Sequence, residues 1–273
     1  MSRSSLKRRS TLKAPFLKQL SFDVSPVKDD ALYPFSIPLF KKSFSLAFTK
    51  PITIFVGENG TGKSTLLEFI AHACGFNIWG GSRNHFYGAN ENQSLDYLNQ
   101  LTKFMRLSWL PRVSKGFFMR AETFFNFLEK VHYGLDGYDP AFLEQCYGGD
   151  LFKRSHGESF LAFFEHQMDR EGIFLFDEPE SALSPSRQVE FLKLLKRVEN
   201  SQRGQVIMVT HSPLLMAFPG ADLFSFTHCG IEQVQLKQIE NFQLLEKFFN
   251  HPHQFIKEIM SQKLDKNLNN EEA

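Results

Sequence analysis

Nine residues, Gly57-Glu58-Asn59-Gly60-Thr61-Gly62-Lys63-Ser64-Thr65, separate an apolar run, Ile52 to Val56, from a stretch with Leu66, Leu67, Ile70 and Cys74 at helical spacing. Such a loop restricts the chain to a strand entering it and a helix leaving it, because successive backbone N–H groups must turn inward around one anion. Glycine is needed where the backbone doubles back. Lys63 then reaches the β- and γ-phosphates of a nucleotide, and the Ser64 hydroxyl reaches a Mg2+ ion. A helix N-terminus behind the loop adds its partial positive charge. The G-x-x-x-x-G-K-[ST] pattern arises by chance in a chain of this size about once in a hundred; a plain glycine-rich turn is the reading it displaces. Gly57, Asn59, Gly60, Gly62, Lys63, Ser64 and Thr65 are therefore the expected ATP-binding set, with ATP and Mg2+ as the expected ligands.

A second apolar strand, Gly172 to Phe176, ends on Asp177-Glu178. Any buried strand can end on an acid, so this motif takes its meaning from the first. At the carboxyl edge of a neighbouring strand, Asp177 would hold Mg2+ and Glu178 would orient or deprotonate an attacking water. A second acid directly after the first favours hydrolysis over phosphoryl transfer to another substrate. A third apolar strand, starting at Gln205, is expected to end at His211, within Val209-Thr210-His211-Ser212-Pro213. At the same sheet edge His211 would reach a γ-phosphate and the attacking water. An ordinary core or surface histidine is the alternative.

Strands alternate with helices along the chain. Phe44, Leu46 and Phe48 read as an edge strand, "GFFMRAETFFNFLEKV" as a strand entering a helix, and "LSPSRQVEFLKLLKRVE" as a helix capped by Ser184 with Pro185 at its first position. "DLFSF" and "IEQVQL" suggest a hairpin, and one amphipathic helix is expected around Phe242 to Ile259. The alternation implies an α/β fold with a mainly parallel central sheet.

With 31 basic and 30 acidic residues, the chain is not a dedicated nucleic-acid coat or polybasic membrane binder. No apolar run approaches the roughly 20 residues of a membrane span. Three isolated cysteines, Cys74, Cys146 and Cys229, fit a reducing compartment, and the cytoplasm is the expected location. The 31 phenylalanines read as core filling rather than as a recognition surface. Residues 1–20 carry six basic residues and no acid, and are expected to be a solvated, disordered tail. A transit peptide and an arm for an anionic partner are the other readings of that segment.

Just before the acidic strand lies Ser155-His156-Gly157-Glu158-Ser159, followed by Phe160, Leu161, Phe164 and Met168. On its face this is a helix start, and an N-cap alone would account for it. Together with the three motifs above, it makes the chain resemble the ABC-type ATPases. Within them "FVGENGTGKSTLLEFIA", "RSHGESFL", "LFDEPESALSP" and "MVTHSP" resemble a stand-alone group of predicted ATPases related to RecF and the structural-maintenance-of-chromosomes (SMC) heads. "YPFSIP", "GFFMRAETFF" and "FNHPHQF" share that likeness.

The resemblance covers nearly everything after residue 20. It implies one domain over 21–273, with an antiparallel β subdomain and a small helical subdomain at roughly 90–168. Ser155 and Gly157 would belong to the signature that faces the γ-phosphate of a partner's ATP. Ser181 to Ser184 resembles a loop crossing the dimer interface. Transporter subunits carry a Mg2+-sensing glutamine between glycine loop and signature; here the place is taken by Met119-Arg120-Ala121-Glu122, and Glu122 is the candidate equivalent. The adenine-stacking residue is open among Tyr33, Phe35 and Phe40. His156 and Glu158 depart from the transporter signature, and no heptads for coiled-coil arms appear.

The expected activity is Mg-ATP hydrolysis by a head-to-tail homodimer acting as a switch. The alternative is an interaction module whose slow hydrolysis times contact with an unknown effector, DNA-associated or membrane partner. A transporter subunit is a third reading, against which the absent glutamine speaks. The basic tail is the one hint of such an effector, DNA-associated or membrane partner, and nothing else in the sequence supports nucleic acid.

Overall fold

The computed structural model describes residues 13–27, 32–82, 95–133 and 155–271. The chain divides into two units, Met1–Gln233 and Val234–Ala273. The first contains β1 (Leu17–Phe22), β2 (Phe44–Ala47), β3 (Ile52–Gly57), α1 (Lys63–Cys74), α2 (Asp96–Phe104), β4 (Met105–Trp109) and β5 (Gly116–Arg120). It continues with α3 (Ala121–Tyr133), α4 (His156–Met168), β6 (Gly172–Asp177), α5 (Pro185–Ser201), β7 (Gly204–Val209), α6 (Pro213–Met216) and β8 (Ala221–Thr227), and ends in all but the last residue of β9 (Gly230–Val234). The second contains α7 (Glu240–Asn250) and α8 (Pro252–Glu271).

Six strands form the main sheet in the order β5-β6-β7-β3-β8-β9. The first five are parallel, and every residue of β6 and β7 is buried. Unbroken apolar runs are what strands covered on both faces require. The register pairs Arg120 with Asp177, Asp177 with Val209, and Val209 with Phe55. The carboxyl ends of β5, β6, β7 and β3 therefore finish level, and the loops that follow them meet at one edge.

Alternation along the strands sorts their side chains onto two faces. Phe118, Ile173, Leu175, Ile207 and Val209 share a core with Leu66, Leu67 and Ile70 of α1. That core extends to Leu17, Leu20, Leu46 and Met105 of a small antiparallel sheet, ordered β2-β1-β4. On the other face Phe117 and Phe176 meet Phe163 and Phe164 of α4, with ring centroids 4.8 to 5.8 Å apart, and Phe176 meets Phe191 of α5 at 5.1 Å. Edge-to-face phenylalanines at these separations attract beyond the area they bury. Most of the described phenylalanines of the first unit are thus core residues, as expected from sequence, whereas Phe249 of α7 is exposed.

The small sheet is tied to the main one by a buried amide. Gln205, fully buried on β7, accepts from the Phe16 and Leu17 N–H groups at 2.8 Å each and donates to the Leu17 carbonyl at 3.1 Å. Ala14 and Phe16 are buried beside it.

Four sequence expectations change here. The tail does not extend to residue 20: β1 starts at Leu17, because Phe16, Leu17 and Leu20 supply apolar surface for the core. Among its described residues the stretch 90–168 is not helical throughout. Alternating Met105 to Trp109 pairs with β1, and the apolar Phe117 to Met119 forms the edge strand of the main sheet. His211 does not close β7, which ends two residues earlier. The expected terminal helix is two helices, α7 and α8, since Pro252 cannot continue the first. The basic residues of 1–12, Asn90 to Ser94, Cys146 and Arg154 lie outside the described residues. No helix among those described is long and apolar enough to cross a membrane.

Gln205→Leu, which keeps the volume but leaves three buried backbone groups unpaired, should destabilise the fold by about 1–3 kcal/mol. A lower urea midpoint at unchanged slope is the expected readout.

Candidate functional site

The glycine loop bridges β3 and α1. Gly57 sits at φ 132°, and a Cβ there would lie 2.2 Å from the Phe226 carbonyl oxygen, so no other residue fits. Gly62, left-handed at φ 102°, caps α1 and lies against Ile37 and Leu39. Asn59 and Gly60 are exposed at the tip. Lys63 is buried and folds back on its own loop, donating to the Gly57 and Glu58 carbonyls at 2.8 and 2.6 Å. Burial pushes its pKa down, against the opposing pull of Glu178, Asp177 and Glu58. A buried ammonium that has only carbonyl oxygens as hydrogen-bond partners is stabilised by an incoming anion.

Ser64 and Asp177 meet across the edge, the Ser64 hydroxyl donating to Asp177 Oδ1 at 2.9 Å. Two hard oxygens at the foot of a phosphate loop suit Mg2+, which fills its remaining positions with phosphate and water. Asp177 is 6% exposed. Its other oxygen accepts from Arg120 Nε at 3.2 Å, and Arg120 also grips Glu68, to which Tyr97 donates.

Glu178 follows with a left-handed backbone, φ 50° and ψ 57°, unusual for a residue with a Cβ. Its N–H bonds the Val209 carbonyl at 3.0 Å, which aims the carboxylate along the sheet edge. Burial first, and the neighbouring Asp177 charge second, push its pKa above the ordinary glutamate value. His211 Nε2 lies 3.9 Å from Glu178 Oε1, too far for a hydrogen bond, and is buried without a partner. A polar atom in that state marks a place where a ligand oxygen or water belongs. Glu180 fixes the histidine loop, accepting from Thr210 Oγ1 at 2.7 Å and from the His211 N–H at 2.5 Å.

Ser155 caps α4. Its N–H and hydroxyl both donate to Glu158 Oε2, at 3.0 and 2.8 Å, while Glu158 Oε1 pairs with Arg187 of α5 at 2.6 Å. Ser155 and His156 are exposed. Gly157 lies in the helix close to the Ala182 carbonyl and the Arg187 side chain. Glu158, which departs from the transporter signature, is therefore neutralised within its own chain.

One edge thus gathers Gly57 to Thr65, Asp177, Glu178 and His211. It does not gather Ser155 and Gly157, whose helix packs on the opposite face of the sheet from α1. Glu122, second residue of α3, is exposed and acts on Glu178 through its charge; the residue that touches Asp177 is Arg120, two positions earlier. Of the aromatic candidates Phe35 and Phe40 are buried, whereas Tyr33 is 51% exposed with its hydroxyl 3.4 Å from Thr65 Oγ1. Sequence reasoning missed Arg120, Glu68 and Glu180. An acid on the apolar face of α1, a base ending an apolar strand and a third acid in "DEPE" were the available signals.

Two family models match the chain. One, described as an AAA domain, covers residues 36–133. Another AAA-domain model, whose description names the AbiEii toxin and type IV toxin–antitoxin systems, covers residues 159–217. The thiamine import ATP-binding protein ThiQ of Photobacterium profundum is 29% identical over 184 residues, which is 63% of this chain and 72% of ThiQ. The petrobactin import ATP-binding protein YclP of Bacillus subtilis is 29% identical over 177 residues, 59% of this chain and 66% of its own. Among solved structures, the SMC head domain from Thermotoga maritima overlays at TM-score 0.44 with 17% identity, over 81% of this chain and 99% of that one. With the phosphate loop inside one matched segment and the acid pair and histidine inside the other, the chain is an ATP hydrolase similar to the ABC-type ATPases.

Proposed function

We propose that the protein hydrolyses Mg-ATP as a head-to-tail homodimer, with each nucleotide held between the glycine loop of one copy and the α4 start of the other. The observation that supports this reading is the placement of α1 and α4 on opposite faces of one sheet. Ser155 and the positive end of its helix dipole form an anion-attracting surface that their own glycine loop does not use.

Within one copy, Lys63, Thr65 and the loop N–H groups hold phosphate, and Ser64 with Asp177 would hold Mg2+. The ion supplies charge neutralisation on the phosphate oxygens. Glu178 takes the proton of the attacking water, a task suited to a carboxylate whose pKa lies above the usual range. His211 Nε2 holds the γ-phosphate or that water, and Glu180 keeps the histidine in place. Since closure needs nucleotide in both halves, association of the two copies is the output, and the cytoplasm is its setting. The import roles named for ThiQ and YclP would instead require a membrane partner that co-purifies with this chain.

Light scattering on Glu178→Gln protein tests the dimer. Its mass should double with Mg-ATP and only then, and Ser155→Arg on that background should abolish the doubling while nucleotide still binds. A monomer with ATP bound would reduce Ser155 to a helix cap. A raised folded pKa makes the ionised Glu178 a liability at neutral pH, so Glu178→Gln should melt no lower than the parent.

The pH profile of hydrolysis carries a separate expectation. Protonated Glu178 cannot accept a proton, so the rate should fall with decreasing pH at a midpoint above 4.5, the unperturbed value. Glu178→Gln should remove that limb and lower kcat by roughly 100- to 10,000-fold.

A further inference from the structure

Arg120 is the one cation that touches the metal-side carboxylate, among the described residues, and motif logic gives it no task. It ends β5, where the register sets it directly beside Asp177. Its guanidinium spans two buried carboxylates: Nε donates to Asp177 Oδ2 at 3.2 Å, and the fork's outer nitrogen is on Glu68 Oε1. The second oxygen of Glu68 is taken by the Tyr97 hydroxyl. Glu68 in turn sits on α1 one helical turn after Ser64, so the chain of contacts leaves the helix and returns to it. Arg120, Glu68 and Tyr97 also line, with Tyr33 and Trp79, a cavity of about 480 Å³.

A carboxylate that is to hold a cation has two equivalent oxygens and one rotatable bond, so it must be told which oxygen to present. Here the fork occupies Oδ2 and leaves Oδ1 facing Ser64. An arginine does this better than a lysine, because its planar donors fix direction as well as charge. Glu68 offsets the guanidinium charge that would otherwise weigh against a nearby metal ion, and Tyr97 holds Glu68. We propose that Arg120 is a positioning residue for the Mg2+ site, clamping Asp177 in its metal-binding orientation, with Glu68 and Tyr97 as the braces that hold Arg120. The proposal rests on the reading of Asp177 as the Mg2+ holder.

The test is Mg2+ titration of the full chain bound to a fluorescent, non-hydrolysable ATP analogue, alongside the Mg2+ midpoint of hydrolysis. Arg120→Met should raise both midpoints by roughly 10- to 100-fold, as loss of an outer hydrogen bond to a metal ligand does, while affinity for the analogue in EDTA stays within about twofold. Arg120→Lys should recover part of the shift. Tyr97→Phe, which leaves every charge in place, should move the midpoint in the same direction by a smaller factor. An Mg2+ midpoint that is unchanged or lowered in Arg120→Met overturns the proposal, as does an equal loss of EDTA affinity and melting temperature, the mark of a purely structural contact. If Arg120→Met does not fold, Glu68→Gln and Tyr97→Phe decide by the same midpoint. Asp177→Asn separates the two levels. Loss of the Mg2+ response in that variant upholds the Asp177 reading whatever Arg120 does, and a retained response brings that reading down first.

Discussion

The hydrogen-bond register of the parallel strands is the constraint on which the rest depends. Arg120, Asp177, Val209 and Phe55 are level partners across four strands, although the chain runs from residue 55 to residue 209 between the first and last of them. A slip of one residue in any ladder would turn that strand's side chains to the wrong face. It would also set Asp177 away from Ser64. The wholly buried β6 and β7 make such slips costly, since each would have to exchange core contacts on both faces at once. Catalytic precision at the edge is thus inherited from apolar packing well away from it.

Charge at the edge follows a complementary rule. Buried ions are tolerated when every one has a counterpart, and an unmatched ion is penalised severely. Asp177 and Glu68 share Arg120, and Glu68 has Tyr97 besides. Lys63 rests on carbonyl oxygens rather than on a carboxylate. That asymmetry divides the edge into a side already neutralised within the chain and a side still lacking an anion. His211 Nε2, buried and unpaired, belongs to the second side.

Legibility from sequence tracks the distance over which each feature is built. The glycine loop, the acid pair and His211 are each written in a few consecutive residues at the end of an apolar run, so their chemistry is readable in one dimension. Arg120 meets Asp177 across 57 residues and Glu68 across 52, and Glu180 meets Thr210 across 30. Only the strand order brings those pairs together, and strand order is not a local pattern. The same reason explains the shortened tail and the two strands found after residue 90. Phe16 and Leu17 become structural because Gln205 is waiting for them, and Met105 to Trp109 because β1 is. The single-chain edge, with its phosphate, metal and water positions, was legible. The brace behind it was not.

The left-handed backbone of Glu178 carries a consequence for how this protein can change. A side chain with a Cβ at that geometry costs on the order of 1 kcal/mol relative to an ordinary backbone, and glycine or asparagine is spared most of it. The position is thus one where thermodynamic and catalytic preference point in opposite directions. A lineage selected for robustness alone would drift toward the small or amide residues there and lose its hydrolytic step while keeping fold and phosphate loop. Copies of this chain that have surrendered turnover should be sought first among those with an easier backbone at residue 178.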